Sequence, residues 1–318
     1  MLVSDNVLQE GDIIESHYLV ERRNRTIYKR MREYLWQLTH SPVLRTSVLP
    51  LGDGAAVSVK TGEQAYETTR TIGSGEQLEV LKVAVIYGAD AVYIGGEAFG
   101  LRAKAKNFSK EDMCEGIAFA HSHGVKVYVT VNILAHNRDL EGVREYLQEL
   151  KEIGPDALII ADPGIFMYAK EICPEIERHI STQANNTNYE TYRFWYNLGA
   201  KRVVSARELS LEEIREIRAH IPEDMEIETF IHGAMCISYS GRCLLSNFMA
   251  GRDANQGACT HPCRWKYSVV EEKRPGEYMP VFENERGTFI FNSKDLCMVE
   301  HMEDILTSGI DSLKIEDV

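Results

Sequence analysis

The sequence predicts an α/β protein of the TIM-type (β/α) barrel class. From about residue 79, short apolar segments rich in β-branched residues alternate with amphipathic helical patterns. Such units, spaced about 21–35 residues apart, indicate parallel strands joined by right-handed crossovers. Seven or eight units of this kind favour a closed barrel over an open sheet.

The strand segments are nearly continuous in apolar character, which is typical of strands buried on both faces. The predicted strands are 91–94, 126–131, 157–161, 179–183, 202–206 and 226–232, with further candidates at 288–291 and 312–315.

The helices between them show start and stop signals. One apolar helix face is built by residues at spacings of three and four: Leu140, Val143, Leu147, Leu150 and Ile153. Capping-box patterns at Ser109 with Asp112, and at Ser210 with Glu213, predict where two helices begin. Prolines in the links after helices are expected to end them: Pro155, Pro174 and Pro222.

Two regions depart from the alternation. Residues 1–75 show only one plausible helix, at about 21–38, so we expect an atypical N-terminal segment followed by a barrel domain over 76–318. The second region, 236–280, is a Gly- and Cys-rich insertion after the strand that ends at His232. In a barrel this insertion lies at the C-terminal face of the strands, where active sites form.

Composition excludes several classes of protein. The chain has 318 residues, of which 44% are hydrophobic and 26% charged, so global disorder is excluded. A net charge of −13 argues against binding nucleic acid through bulk charge, although a local basic pocket stays open. No apolar run reaches the roughly 18 residues of a membrane span, and the first ten residues do not form a signal peptide. We therefore expect a cytoplasmic protein without membrane contact.

The cysteines indicate a metal or redox centre. Five of the seven lie in one stretch: Cys236, Cys243, Cys259, Cys263 and Cys297. An odd, clustered set in a chain expected to be cytoplasmic argues against a disulfide framework. Their spacing leaves an iron–sulfur cluster and zinc as alternatives, with buried structural thiols less favoured. Cys114 and Cys173 fall on helical stretches and are interpreted as packing residues.

The stretch from Glu228 to Ser246 (ETFIHGAMC…GRCLLS) resembles the signature of the peptidase U32 family. Further segments that resemble the family are GACTHPCRW at 257–265, NSKDLC at 292–297, GADAVYIGG at 88–96 and STQ at 181–183. The resemblance runs from about residue 76 to 316. The family carries the label collagenase-like protease, yet several members are iron–sulfur proteins of oxygen-independent hydroxylation.

Within that family, the stretch 255–265 is most similar to the tRNA hydroxylation branch. The resemblance implies formation of 5-hydroxyuridine at the tRNA wobble position, with prephenate as oxygen source. It also implies a cluster, expected to be 4Fe-4S with zinc as the alternative, ligated by Cys236, Cys243, Cys259 and Cys297. Cys263 is the competing fourth ligand.

This chain also departs from the family pattern. Relatives begin with a strand of the type E-L-L-x-P-A, where this chain has residues 68–75, so the first barrel strand is expected to be either missing or substituted. The chain stops soon after Lys314, where relatives usually continue. A truncated, inactive member is therefore a further hypothesis.

Polar residues at the C-terminal ends of the strands are the candidate site residues. They are Glu97, Asn132, Asp162, Gln183, Arg207, Glu228 and His232. Glu228 and His232 are expected to be catalytic, and Asn132, Gln183 and Arg207 to bind substrate. A carboxylate at Glu228 would need a cation or a hydrogen-bond donor.

Arginines beside the cysteines suit a dicarboxylate such as prephenate: Arg242, Arg252 and Arg264. The run from Arg264 to Tyr267 offers cations and stacking surfaces to an anticodon loop, although a packed Trp265 with solvated cations explains it equally well. The basic helix at 22–32 is a weaker RNA-binding candidate, since a solvated helix face is the default explanation.

The main alternative is proteolysis of collagen or another protein. A peptidase needs an activated nucleophile or a metal-bound water. The sequence contains neither H-E-x-x-H nor G-x-S-x-G, and Cys243 with His232 lacks an orienting third group.

Overall fold

The structure is a computed structural model. It describes residues 2–5, 8–9, 12–13, 44–49, 55–60, 70–75, 78–96, 108–234, 236, 238–265, 268–270, 272–276, 278–280 and 295–316.

Eight parallel strands of the described chain pair in a closed ring, which confirms the barrel class. The strands are β1 (Arg70–Gly75), β2 (Ala91–Gly95), β3 (Lys126–Val131), β4 (Ala157–Ile160), β5 (Glu177–Ile180), β6 (Arg202–Val204), β7 (Glu226–Ala234) and β8 (Ser312–Ile315). Each strand pairs with its neighbour in sequence, and β8 closes the ring against β1. A short antiparallel strand, Asp295–Cys297, adds to the end of β7.

Helices follow the strands as expected. They are α1 (Leu78–Ile86), α2 (Lys110–Ser122), α3 (Val143–Ile153), α4 (Pro163–Ile172), α5 (Tyr189–Leu198), α6 (Leu211–His220), α7 (Leu245–Ala250) and α8 (Met302–Leu306). Helices α2 and α6 begin at the predicted caps: Ser109 accepts from the backbone of Asp112, and Ser210 forms the full capping box with Glu213. The three link prolines follow α3, α4 and α6.

The sequence left open whether the first barrel strand is missing or substituted. In the structure, strand β1 occupies that position. The segment RTIGSG pairs with β8 on one side and with β2 on the other. The barrel therefore begins before residue 76, where the domain boundary was expected. The difference arises because RTIGSG contains a single large apolar residue, so its pattern is not that of a buried strand.

The strand residues alternate between two surroundings. One set faces the helices and joins the main hydrophobic core, as Val92, Val127 and Leu158 do. The other set lies inside the ring, where Tyr93 and Tyr128 contact a separate small apolar cluster. Polar and charged residues of β5 to β8 lie in this interior as well.

Before the barrel, Leu2–Asp5, Leu44–Leu49 and Ala55–Lys60 pair as an antiparallel sheet, and Leu8–Gln9 pairs with Asp12–Ile13. The helix expected at 21–38, the strand expected at 288–291 and Glu97 lie outside the described residues. Among the helices that the structure describes, none combines the length and the apolar character that a membrane crossing requires.

Candidate active site at the barrel mouth

A buried cluster of charges occupies the barrel interior and is centred on Glu228 of β7. One carboxylate oxygen accepts hydrogen bonds from Arg202 Nη1 (2.8 Å) and Ser312 Oγ (3.2 Å). The other accepts from Lys314 Nζ at 3.0 Å. Glu226, two residues earlier on the same strand face, binds the other side of the Arg202 guanidinium. The cation that a carboxylate at Glu228 was expected to need is thus present in two residues, Arg202 of β6 and Lys314 of β8.

Electrostatics keep this carboxylate ionised. Burial by itself would raise the pKa of Glu228, but the charges of Lys314 and Arg202 outweigh burial and lower that pKa to about 2. Glu228 is only 1% exposed, so it lies beneath the mouth of the barrel rather than at its surface.

A buried histidine borders the same cluster. Burial lowers the pKa of His179 to about 4, so its ring is neutral near pH 7. Its Nε2 lies 3.2 Å from a carboxylate oxygen of Glu177. The hydrogen bond with His179 is the main cause that lowers the pKa of Glu177 to about 2. Tyr128 packs edge-on against the ring at 4.8 Å between centroids.

At the mouth, the loops after β3 and β5 meet through buried polar groups. The Asn132 amide donates to Ser181 Oγ at 3.3 Å, and Gln183 Nε2 donates to the Asn132 carbonyl at 3.5 Å. Both predicted substrate-binding residues are almost fully buried. The structure therefore brings Asn132 and Gln183 together as one wall of the mouth.

A second group forms where β6, β7 and β8 end. Arg207 Nη2 donates to a carboxylate oxygen of Glu316 at 2.6 Å, and its guanidinium lies 4.0 Å from the ring centroid of Phe230. His232 Nδ1 lies 3.3 Å from the Glu316 carbonyl oxygen. A carbonyl accepts but cannot donate, so Nδ1 is the donor in this contact. Arg207 and His232 thus meet through Glu316.

The Cys-rich insertion is fastened across this mouth. The Asn185 amide donates to the Ser240 carbonyl at 2.7 Å. Gly241, at φ +71°, packs so closely that a β-carbon there would lie 2.7 Å from Gln183 Oε1. On the β3 side, the backbone of Leu134 donates to the Asn255 carbonyl at 3.2 Å. The insertion therefore contacts the loops after β3 and β5, which also carry Asn132 and Gln183.

The cysteines of the insertion influence one another's charge. Shielding from water raises the pKa of the Cys236 thiol, and nearby Cys263 and Cys259 raise it further while Arg207 opposes them. The pKa of the Cys259 thiol is likewise raised, chiefly by shielding from water, with Cys263 and Cys243 adding to the effect. These four cysteines and Cys297 are free thiols.

Cys297 lies opposite His232 in the antiparallel pairing with β7. Within the described chain, no three Cys, His, Asp or Glu side chains lie close enough to hold a metal ion. In donor chemistry, however, the set fits a thiolate-bound centre. A positive centre among these thiols would offset the mutual repulsion of their ionised forms.

The remaining predicted residues have other surroundings. Asp162 caps helix α4 by accepting from the backbones of Gly164 and Ile165, which explains it without a catalytic role. Arg242 is exposed, and its Nη1 donates to the Gly241 carbonyl at 3.3 Å. Arg264 belongs to the turn Pro262–Arg264, while its side chain, Lys266 and Tyr267 lie outside the described part.

Sequence reasoning missed Arg202, Lys314 and Glu316. A signal was available for Lys314 and Glu316, because charged residues alternate with apolar ones along β7, β8 and the residue after β8. Arg202 is the single charged residue of β6, so no alternation marks it.

Comparison with known proteins identifies the family. Residues 76–317 match peptidase family U32. The chain is 45% identical over 278 residues to the tRNA hydroxylation protein P of Escherichia coli (strain K12), covering 75% of this chain and 61% of that protein. It is 46% identical over 239 residues to the tRNA hydroxylation protein P1 of Bacillus subtilis (strain 168), covering 75% of this chain and 56% of that protein. The chain thus spans about three-fifths of the length of these relatives.

A solved structure of a U32 peptidase superposes with a TM-score of 0.51 at 15% identity, covering 81% of this chain and 96% of that chain. A likeness at this identity concerns the fold, and it agrees with the barrel described above. Signature segments, barrel and matched range lead to one conclusion: this chain belongs to peptidase family U32.

Proposed function

We propose that this chain is an iron–sulfur-dependent enzyme that hydroxylates RNA, with the tRNA wobble uridine as its substrate and 5-hydroxyuridine as its product. The observation that carries the proposal is its 45% and 46% identity to two proteins named for tRNA hydroxylation. The arrangement of the mouth supports it, because the Cys-rich insertion contacts the loops that carry the polar wall.

The reaction replaces the C5–H bond of uridine by C5–OH, which is a two-electron oxidation. Oxygen-independent chemistry takes the oxygen atom from a co-substrate, which gives up that oxygen and accepts the two electrons removed from uridine; a small carboxylate such as prephenate is the proposed donor. A cluster held by Cys236, Cys243, Cys259 and Cys297, with Cys263 as the alternative fourth ligand, would supply one-electron chemistry at the mouth. Zinc, the other candidate for these thiols, could not.

The polar residues of the mouth have proposed roles that follow from their surroundings. His232 presents Nε2 as a proton acceptor, since Nδ1 is engaged by Glu316. Arg242 offers an exposed guanidinium to a substrate carboxylate. Arg207 would have to give up its hydrogen bond with Glu316 to contact a substrate carboxylate. Its proposed role is therefore positioning rather than direct contact with the substrate. The roles of Asn132, Gln183, Arg264 and Glu228 stay predictions of the same kind.

The experiment is complementation of a strain that lacks wobble 5-hydroxyuridine. Full-length chain should restore the nucleoside in tRNA digests analysed by mass spectrometry. His232→Gln and Cys236→Ala should lower it at least about tenfold at equal protein level. Cys114→Ala, a cysteine on the outer helix α2, is the matched control and should leave it unchanged.

Iron and acid-labile sulfide are measured in parallel on anaerobically purified protein. About four of each per chain, lost in Cys236→Ala, support the cluster. Zinc in place of iron would overturn the proposed chemistry. Gelatin cleavage that survives purification and disappears with a point mutation would favour the peptidase alternative.

A further inference from the structure

The Cys-rich insertion exposes an unusual number of large hydrophobic side chains. Seven of the ten that are exposed among the described residues lie between Tyr239 and Tyr278. The most exposed is Phe248 at 86%, and Trp265 is 45% exposed. Exposed apolar side chains that form a contiguous patch mark an interaction surface.

Helix α7 is held in place through Ser246 rather than through Phe248. Its inner side is fixed by Ser246, which is fully buried and whose Oγ bonds with Thr260 Oγ1 at 3.0 Å and with the backbone of Thr260 at 3.0 Å. Phe248, two residues further along this short helix, is left facing solvent. Helix α7 also packs against the turn Pro262–Arg264, which leads directly into Trp265.

The charge of this unit is opposite to that of the whole chain. Residues 236–265 contain three arginines and one aspartate, whereas the chain carries a net −13. The Asp253 carboxylate is already engaged by the backbone of Asn255 at 2.9 Å. Arg252 is the second residue after α7 and is exposed, as is Arg242. Exposed aromatic rings among arginines suit a polyanion with flat apolar groups, which describes an unpaired RNA loop.

We propose that Phe248 and Trp265, with Arg252, form a base-stacking surface that holds unpaired nucleotides of an RNA loop beside the barrel mouth. This inference rests on the proposed function and adds the surface that would present the loop. Because the insertion contacts the loops at the barrel mouth, stacked nucleotides would lie at the same end of the barrel as His232. The aromatic rings would stack on bases, and Arg252 would neutralise a phosphate.

The test measures binding of a fluorescently labelled anticodon stem-loop to the anaerobically purified full chain at several salt concentrations. Phe248→Ala should weaken binding roughly tenfold, since one stacked base is lost, and should leave the salt dependence unchanged. Phe248→Trp should restore affinity. Arg252→Gln should reduce the slope of log affinity against log salt by about 0.7. Phe194→Ala, which removes an exposed aromatic from barrel helix α5, is the matched control and should bind as wild type.

A stem-loop whose loop nucleotides lack bases separates stacking from charge. Wild type and Phe248→Ala should bind this probe equally. Equal binding of the intact stem-loop by both proteins would overturn the stacking surface. So would a change of oligomeric state in Phe248→Ala, because a second copy of the chain would then be the occupant.

The two proposals fail in different ways. Restored 5-hydroxyuridine together with unaltered binding by Phe248→Ala would leave the proposed function intact and refute the surface. Binding that depends on Phe248, without any 5-hydroxyuridine in the complemented strain, would support the surface and refute the proposed reaction.

Discussion

At the residue scale, the notable feature is a charged barrel interior where branched aliphatic side chains are the norm. Arg202 and Lys314 each bond to Glu228, and none of the three is more than 5% exposed. A single buried charge has a large desolvation cost. In this cluster the attraction of Glu228 to Arg202 and to Lys314 offsets that cost. The cluster therefore acts as a unit that ties β6, β7 and β8 together.

Removing one member should expose this dependence. Arg202→Met leaves Glu226 and Glu228 without their shared cation, so we expect a loss of about 3–5 kcal/mol in the free energy of unfolding. Urea unfolding followed by circular dichroism measures it. Arg144→Met, which breaks the exposed Arg144–Glu171 pair, is the control and should have little effect. Similar losses in both variants would contradict the role of the buried cluster.

The same residues predict the pH dependence of stability. His179 has its pKa lowered to about 4 in the folded chain, so its contribution is present above its ordinary value near 6.5 and is lost as pH falls toward 4. Glu228, with a pKa of about 2, contributes above its ordinary value near 4.5 and loses that contribution below it. Both effects have the same sign, so stability should fall steadily on acidification below about pH 6.5.

Unfolding free energies measured from pH 8 to pH 3 check this expectation. In His179→Gln the fall between pH 6.5 and 4.5 should become shallower, while the fall below pH 4.5 remains. An unchanged slope in the upper range would show that His179 does not govern it.

At the element scale, local chemistry predicted helices better than strand ends. The caps at Ser109 and Ser210 and the apolar face of α3 were evident because they depend on neighbours in sequence. Strand β5 instead runs from Glu177 to Ile180, two residues before the predicted start and three before the predicted end. The end differs because the Ser181 hydroxyl accepts from the backbone of Gln183 and turns the chain into a short 3₁₀ helix.

The contact between the insertion and the loop after β5 can be tested by comparing alanine substitutions at two glycines of the insertion. Gly241 and Gly251 both have positive φ, at +71° and +64°, but a β-carbon would meet neighbouring atoms within 4 Å only at Gly241. Gly241→Ala should therefore loosen the insertion, whereas Gly251→Ala carries the backbone strain alone.

Limited trypsin digestion measures the difference through cleavage after Arg242 and Arg252. We expect cleavage several-fold faster in Gly241→Ala than in Gly251→Ala, with the unfolding of the barrel itself little changed. Equal cleavage rates would mean that the approach to Gln183 does not hold the insertion in place.

At the scale of the whole molecule, the sequence was sufficient for the barrel class, while the location of the candidate site at the barrel mouth stays a prediction. Both follow from repeating units and from the rule that parallel strands end on one face. The partners of Glu228 could not be assigned from the sequence, because Arg202 and Lys314 are separated by 112 positions along the chain (314 − 202) and meet Glu228 only through the pairing of β7 with β6 and with β8. The same holds for β1, whose polar sequence becomes a strand only between two neighbours that need a partner.

Strand β1 closes the ring by pairing with β8 and β2, and its removal can be tested. Two N-terminal truncations, one starting at Arg70 and one starting at Glu76, differ only in the presence of β1. In the second, β2 and β8 lose the pairings of Ala91 and Lys314 with Ile72 and become open edges. The shorter chain should therefore unfold at lower urea concentration, aggregate more readily, and show faster amide hydrogen exchange in β2 and β8. Equal exchange in both truncations would mean that the barrel is held without its first strand, and that Arg70–Gly75 is dispensable to the ring it completes.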